Sequence, residues 1–126
     1  MTKPRPHRPV LIVEDHPDTR EMVEVFLKID GFAVCTAADG FEALMCVAEH
    51  RPCIILLDIS MPRMDGIAFG RALRGHADQE LASIPIVLVS ALEDGAHHKA
   101  SVGAVDVIRK PISLERIIAV IEAHCS

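Results

Sequence analysis

Glu14, Asp15, Asp58, Ser90 and Lys110 carry the groups in this sequence best suited to chemistry at phosphorus: three carboxylates, one hydroxyl and one ammonium. Carboxylates crowded within a few ångströms raise one another's pKa, so a site that keeps three of them calls for a compensating cation. With only oxygen ligands on offer and an incomplete protein shell, Mg2+ fits best, since it retains waters and binds through one or two carboxylates plus phosphate oxygens. Lys110 adds a mobile point charge and Ser90 a hydroxyl donor, both suited to phosphoryl oxygens. Asp58 is the best-placed nucleophile, because a carboxylate needs no deprotonation near neutral pH. In-line transfer onto it would give an aspartyl phosphate, with the protein contributing positioning and electrostatics.

These residues need a frame that brings them together. Asp58 ends the unbroken apolar run Cys53-Ile-Ile-Leu-Leu57, after which the chain turns out through Pro62 and Gly66. Such runs suit strands buried on both faces, and in open α/β sheets ligands gather beyond the carboxyl ends of the strands. Val10 to Val13 is another short apolar run, followed by Glu14-Asp15 and then by His16-Pro17-Asp18, which reads as a helix start. That helix extends to about Asp30, with Met22, Val25, Phe26 and Ile29 at helical spacing and Gly31 as its terminator.

Phe32 to Ala37 gives a second strand, and Asp39-Gly40 leads into a helix marked by Ala43, Leu44, Val47 and Ala48 that His50-Arg51-Pro52 stops. A third helix is expected from about Gly66 to Arg74, weakened by Gly70. The stretch from Gly75 to Ser83 reads as an exposed polar loop. Ile84 to Val89 delivers Ser90, Glu93 to Val102 is expected to be the least stable helix, and Val105 to Ile108 leads to Arg109-Lys110-Pro111. Ser113 caps a last helix with Leu114, Ile117, Ile118 and Ile121 on one face.

Five strands alternating with five helices imply one parallel sheet covered on both faces, joined by right-handed crossovers. Glu14, Asp15, Asp58, Ser90 and Lys110 then all fall at carboxyl ends of strands and should converge. Taken singly, an Asp at a strand end is usually a turn or capping residue, and Lys-Pro is a common dipeptide. The joint occurrence carries the argument.

A chain of 126 residues, half of them apolar, is long enough for one domain with a real core. The net charge of −5, with no Trp or Tyr and only four Phe, offers neither a basic surface for nucleic-acid backbones nor a stacking platform for bases. No apolar run is long enough for secretion or a membrane span, and residues 1–9, with Pro4, Pro6 and Pro9, read as a flexible leader before a domain over 10–126. Cys35, Cys46, Cys53 and Cys125 show no C-x-x-C pairing and read as reduced packing residues of a cytoplasmic protein. His97 and His98 are adjacent, so they cannot share a helix face, and nothing completes a zinc spacing around them.

From Val10 to His124 the sequence resembles the receiver domain of bacterial two-component response regulators, of the stand-alone type. The resemblance rests on Val-Glu-Asp-His at 13–16, Asp-Ile-Ser-Met-Pro-Arg-Met-Asp-Gly at 58–66, Ser90-Ala91 and Lys110-Pro111. It implies a flavodoxin-like (βα)5 fold with strand order 2-1-3-4-5. It also implies that Asp58 accepts a phosphoryl group from a sensor histidine kinase or histidine phosphotransfer protein and passes the signal to a downstream protein, with a homodimer as one form. By the same resemblance Asp15 ligates Mg2+ directly, Glu14 through water and Ser60 through its backbone carbonyl, with Asp58 also in the metal set. Ser90 acts as the switch hydroxyl, Lys110 pairs with the phosphate, and the Lys110-Pro111 peptide is cis. One departure is Val107, where the family commonly has Tyr, Phe or His; no large ring can swing there. The segment between Ser90 and Lys110 is also slightly short and Gly-rich.

Two other readings stand beside this one. A phosphatase of the haloacid dehalogenase type would carry a second Asp two residues after the nucleophile, where this chain has Ser60. A receiver-like interaction module acting without phosphorylation would generally lack an acid, the acceptor or the lysine, and all are present here.

Overall fold

Position 58 is delivered by the middle strand of a five-stranded parallel sheet. The computed structural model describes residues 5–59, 66–91, 99–100 and 102–125. Among them the strands are β1 (Val10–Val13), β2 (Val34–Ala37), β3 (Ile54–Asp58), β4 (Ile86–Ser90) and β5 (Asp106–Arg109). The helices whose bounds both fall among the described residues are α1 (Pro17–Ile29), α2 (Gly40–His50), α3 (Gly66–Arg74), α4 (Gln79–Ala82) and α5 (Leu114–His124), and residues 99, 100 and 102 are helical as well. The strand order is β2-β1-β3-β4-β5, as expected.

Register explains why the sheet needs helices on both sides. In the central strand, Val10 pairs with Ile54 and Val13 with Leu57 on one flank, and Ile55 pairs with Ile86 and Asp58 with Val89 on the other. Successive side chains of a strand point to opposite faces. Accordingly Leu11, Ile55, Leu57 and Leu88 join Ala43, Val47, Phe69 and Leu73 in one core, under α2 and α3. Ile12, Ile54, Leu56 and Val87 join Val23, Leu27, Ile117 and Ile121 in a second core, under α1 and α5. Each fully buried Leu or Ile side chain contributes about 1.5–3 kcal/mol by leaving water.

The helix ends follow the sequence signals. Pro17 opens α1, and His16 accepts a hydrogen bond from the Thr19 N–H at 3.3 Å. At the other end Gly31, at φ 96°, lets its N–H reach the Lys28 carbonyl and the Phe32 N–H reach that of Leu27, each at 3.0 Å. This is the Schellman arrangement, which satisfies carbonyls that a helix end leaves free. Asp39 and Ser113 cap α2 and α5 by accepting from the Glu42 and Arg116 N–H groups.

Several expectations are corrected. The Met22, Val25, Phe26 and Ile29 stripe that marks α1 faces outward, Ile29 being 80% exposed, while Val23 and Leu27 make the core contact. Both stripes recur every three or four residues, so periodicity locates the helix without choosing its buried side. The stretch expected as a polar loop contains α4, whose Leu81 is buried, followed by buried Ile84. Asp78 caps that turn, and Arg74 donates to the carbonyls of Ala82 and Ile84, each at 2.8 Å.

The cysteines are not all reduced: Cys53 and Cys125 form a disulfide with Cα atoms 5.3 Å apart, leaving Cys35 and Cys46 as free thiols. A separation of 72 residues hides this proximity, which exists because the start of β3 and the end of α5 lie at the same end of the sheet. At that end Arg5 bonds Asp30 and Glu122, and Arg8 donates to the Arg51 and Pro52 carbonyls. Of the helix expected over Glu93 to Val102, residues 93–98 and 101 fall outside the described residues.

Gly70 is required by packing. A Cβ there would lie 2.6 Å from the Val102 Cβ, inside any normal contact. Gly70→Ala should therefore destabilise the protein by about 1–3 kcal/mol through overpacking, outweighing the gain in helix propensity. Urea unfolding would measure it; an unchanged or raised midpoint would show that α3 moves aside freely.

Candidate functional site

Each strand of the central trio, and β5 beside it, brings one polar group to the same end of the sheet. Glu14 follows β1 and is held by its N–H, which donates to the Ala37 carbonyl at 3.0 Å; the residue is only 5% exposed. Asp58 is the last residue of β3 and is 4% exposed. Ser90, the last residue of β4, is fully buried. Lys110 follows β5, and its N–H donates to the Ser90 carbonyl at 2.9 Å, extending the ladder by one step.

The side chains of Lys110 and Glu14 meet Asp58. Lys110 Nζ donates to Asp58 Oδ2 at 2.7 Å. On the other flank burial, together with the hydrogen bond and charge of Asp58, pushes the Glu14 carboxyl up to about 7, with Lys110 opposing the shift. Among the described residues Glu14 Oε2 is buried and meets no hydrogen-bond partner. Buried polar atoms are nearly always paired, so an orphaned carboxylate oxygen beside a second carboxylate is a place where a cation is wanted. The two acids also border a small crevice lined by Thr19, Val89 and Ile112.

Of the other expected residues, Asp15 is half-buried next to Glu14, and the Lys110-Pro111 peptide is cis. Ser60 lies outside the described residues. Val107 is partly buried and packs against the core under α2 and α3. Among the described residues no three His, Cys, Asp or Glu side chains form a metal-holding group by themselves. Glu14 and Asp58 are thus a partial shell, which suits an ion that keeps waters and takes carbonyl and phosphate oxygens.

One contributor escapes sequence reading. Arg20 on α1 donates to the Glu14 carbonyl at 2.9 Å and to that of Asp15 at 3.5 Å, tying the acidic turn to the helix. Its only trace in the sequence is a position on the first turns of the helix that follows the acids. No helix among the described residues is long and apolar enough to cross a membrane.

A family model described as the response regulator receiver domain matches residues 10–122. The chain is 37% identical over 112 residues to the response regulator MprA of Mycobacterium tuberculosis, a match covering 87% of this chain and 47% of that protein. It therefore spans about half the length of that relative. Protein PilG of Pseudomonas aeruginosa is 36% identical over 118 residues, covering 91% of this chain and 85% of PilG. Among solved structures, the chemotaxis protein CheY4 of Vibrio cholerae superposes with a TM-score of 0.83 at 30% identity, covering 92% of this chain and 97% of the other. A receiver domain from Bermanella marisrubri gives 0.84 at 29% identity, covering 93% and 97%.

Proposed function

This chain belongs to the response regulator receiver domain family, and on that footing we propose that Asp58 accepts a phosphoryl group from a phosphohistidine on a sensor kinase or phosphotransfer protein. The observation that carries this reading is the contact of Asp58 with Lys110 on one side and with buried Glu14 on the other. A carboxylate that is 4% exposed, beside a cation and at a strand end, is presented for reaction and shielded from bulk water.

In the transfer an Asp58 carboxylate oxygen attacks phosphorus, the O–P bond forms, and the N–P bond to the donor imidazole breaks. The imidazole leaves with the bonding electrons and takes up a proton. Lys110, paired with Asp58 beforehand, moves its charge onto the phosphoryl oxygens as Asp58 becomes an acyl phosphate. Ser90 donates its hydroxyl to one of those oxygens, while Val107, packed against the core under α2 and α3, has no ring to rotate.

Mg2+ fits the site because Glu14 Oε2 is buried beside a second acid and meets no hydrogen-bond partner among the described residues. Glu14, Asp15, Asp58 and the Ser60 carbonyl would hold it. When bound, the ion supplies charge neutralisation for the carboxylates and for the oxygens around phosphorus. The chain is a signalling acceptor rather than a turnover enzyme, acting in the cytoplasm on a downstream protein.

Incubation with acetyl phosphate and Mg2+ should add one phosphoryl group to the intact mass, and EDTA should abolish the addition. Absence of any addition, together with no Mg2+ binding, would favour an interaction module that works without phosphorylation. Fast saturable hydrolysis of a phosphomonoester would favour a phosphatase.

A further inference from the structure

The end of the sheet away from Asp58 holds a set of cross-links that phosphoryl transfer does not use. Cys53 immediately precedes β3 and is 6% exposed, whereas Cys125 caps the C-terminus of α5, is partly exposed, and donates its N–H to the Ile121 carbonyl at 2.8 Å. Their Cα separation of 5.3 Å lies within the range that a disulfide bridges without moving backbone. Glu122, in the same last turn, accepts from Arg5 at 2.8 Å, and Arg5 also pairs with Asp30 and lies 4.3 Å over the Phe32 ring. The last turn of α5 is thus held by one covalent link to the central strand and one ionic link to the N-terminal segment.

The remaining thiols are poorly placed for exchange. Burial, followed by the nearby Cys46, pushes the Cys35 thiol up to about 12, and burial also raises that of Cys46, so little thiolate is available at either. Of the two bonded sulfurs, that of Cys125 belongs to the residue with more solvent access. Disulfides in thiol-buffered compartments are typically transient or redox-sensing, and exchange depends on which sulfur can be reached.

We propose that Cys53–Cys125 is a reversible thiol–disulfide clasp, opened by attack of a low-molecular-weight thiol at Cys125, that sets how firmly the end of α5 is tied to β3. The attacking thiolate forms a mixed disulfide with Cys125 and expels the Cys53 thiolate, which takes a proton. A second thiolate then attacks the mixed disulfide, releasing the small-molecule disulfide and the Cys125 thiolate. Closure is the reverse, with a small-molecule disulfide as oxidant. The clasp is independent of phosphoryl acceptance, so the two can fail separately.

The test uses the full chain equilibrated with oxidised or reduced glutathione. Alkylation under denaturing conditions should label two cysteines after oxidation and four after reduction, with Cys35 and Cys46 as the constant pair. Amide exchange over residues 121–125 should speed up at least tenfold on reduction, and Tm should fall by on the order of 10 °C, because the closed loop spans 72 residues. Cys53→Ser should retain one glutathione on Cys125, with no partner thiol to expel it. Four labelled cysteines after oxidation would overturn the proposal, and so would a closed disulfide that leaves exchange at 121–125 unchanged. Should the serine variant fold poorly, the redox titration of the parent chain decides alone.

Discussion

Asp58→Asn should leave a folded protein that no longer takes up phosphate from acetyl phosphate, a loss of at least about a thousandfold in labelling rate. The amide keeps the size of the carboxyl but is neutral and not nucleophilic. Lys110 loses the Asp58 carboxylate at 2.7 Å, which lowers stability, while Glu14 is relieved of a neighbouring negative charge, which raises it. These opposed changes should keep the unfolding free energy within about 1–2 kcal/mol of the parent. Intact-mass spectrometry against the parent decides the matter. Equal labelling of the variant would mean that phosphate lands elsewhere, and the assignment of Asp58 would be lost.

Glu14→Gln should separate stability from ion binding. Glu14 is 5% exposed, lies against Asp58, and has one carboxylate oxygen with no partner among the described residues. Its charge is therefore a cost to the metal-free fold, which an isosteric amide able to donate toward Asp58 removes. Without Mg2+ the variant should be more stable by about 1–2 kcal/mol in urea unfolding, the gain common when a strained functional site is relaxed. Its affinity for Mg2+ should drop at least about tenfold, the scale on which outer-shell partners act. A variant less stable than the parent, with Mg2+ binding intact, would show that Glu14 has a structural role and no part in holding an ion.

What the sequence discloses here depends on whether the signal is local. Strand-length apolar runs such as Cys53–Leu57, a helix start at His16-Pro17 and a stop at Gly31 are local, and the structure follows them within a residue or two. The convergence of Glu14, Asp58 and Lys110 was also readable, because a parallel sheet puts every strand's carboxyl end on one side. The buried side of α1 was not, since Met22-Val25-Phe26-Ile29 and Val23-Leu27 have equivalent spacing and only the sheet chooses between them. Nor was the disulfide, whose partners meet only once β3 and α5 lie side by side. Leu81 was hidden for a related reason: a single apolar residue in a polar stretch announces no helix until the cap at Asp78 and the reach of Arg74 are in place.

The two-sided keying of β3 limits how a message can leave residue 58. Ile54 and Leu56 are seated in one layer and Ile55 and Leu57 in the other, so sliding the strand by one position would put each of them in the wrong layer. The strand therefore cannot serve as a piston. A disturbance begun at its tip has to spread sideways, through the neighbouring tips at Ser90 and Lys110, and the helices will feel it as altered connecting turns above a stationary floor.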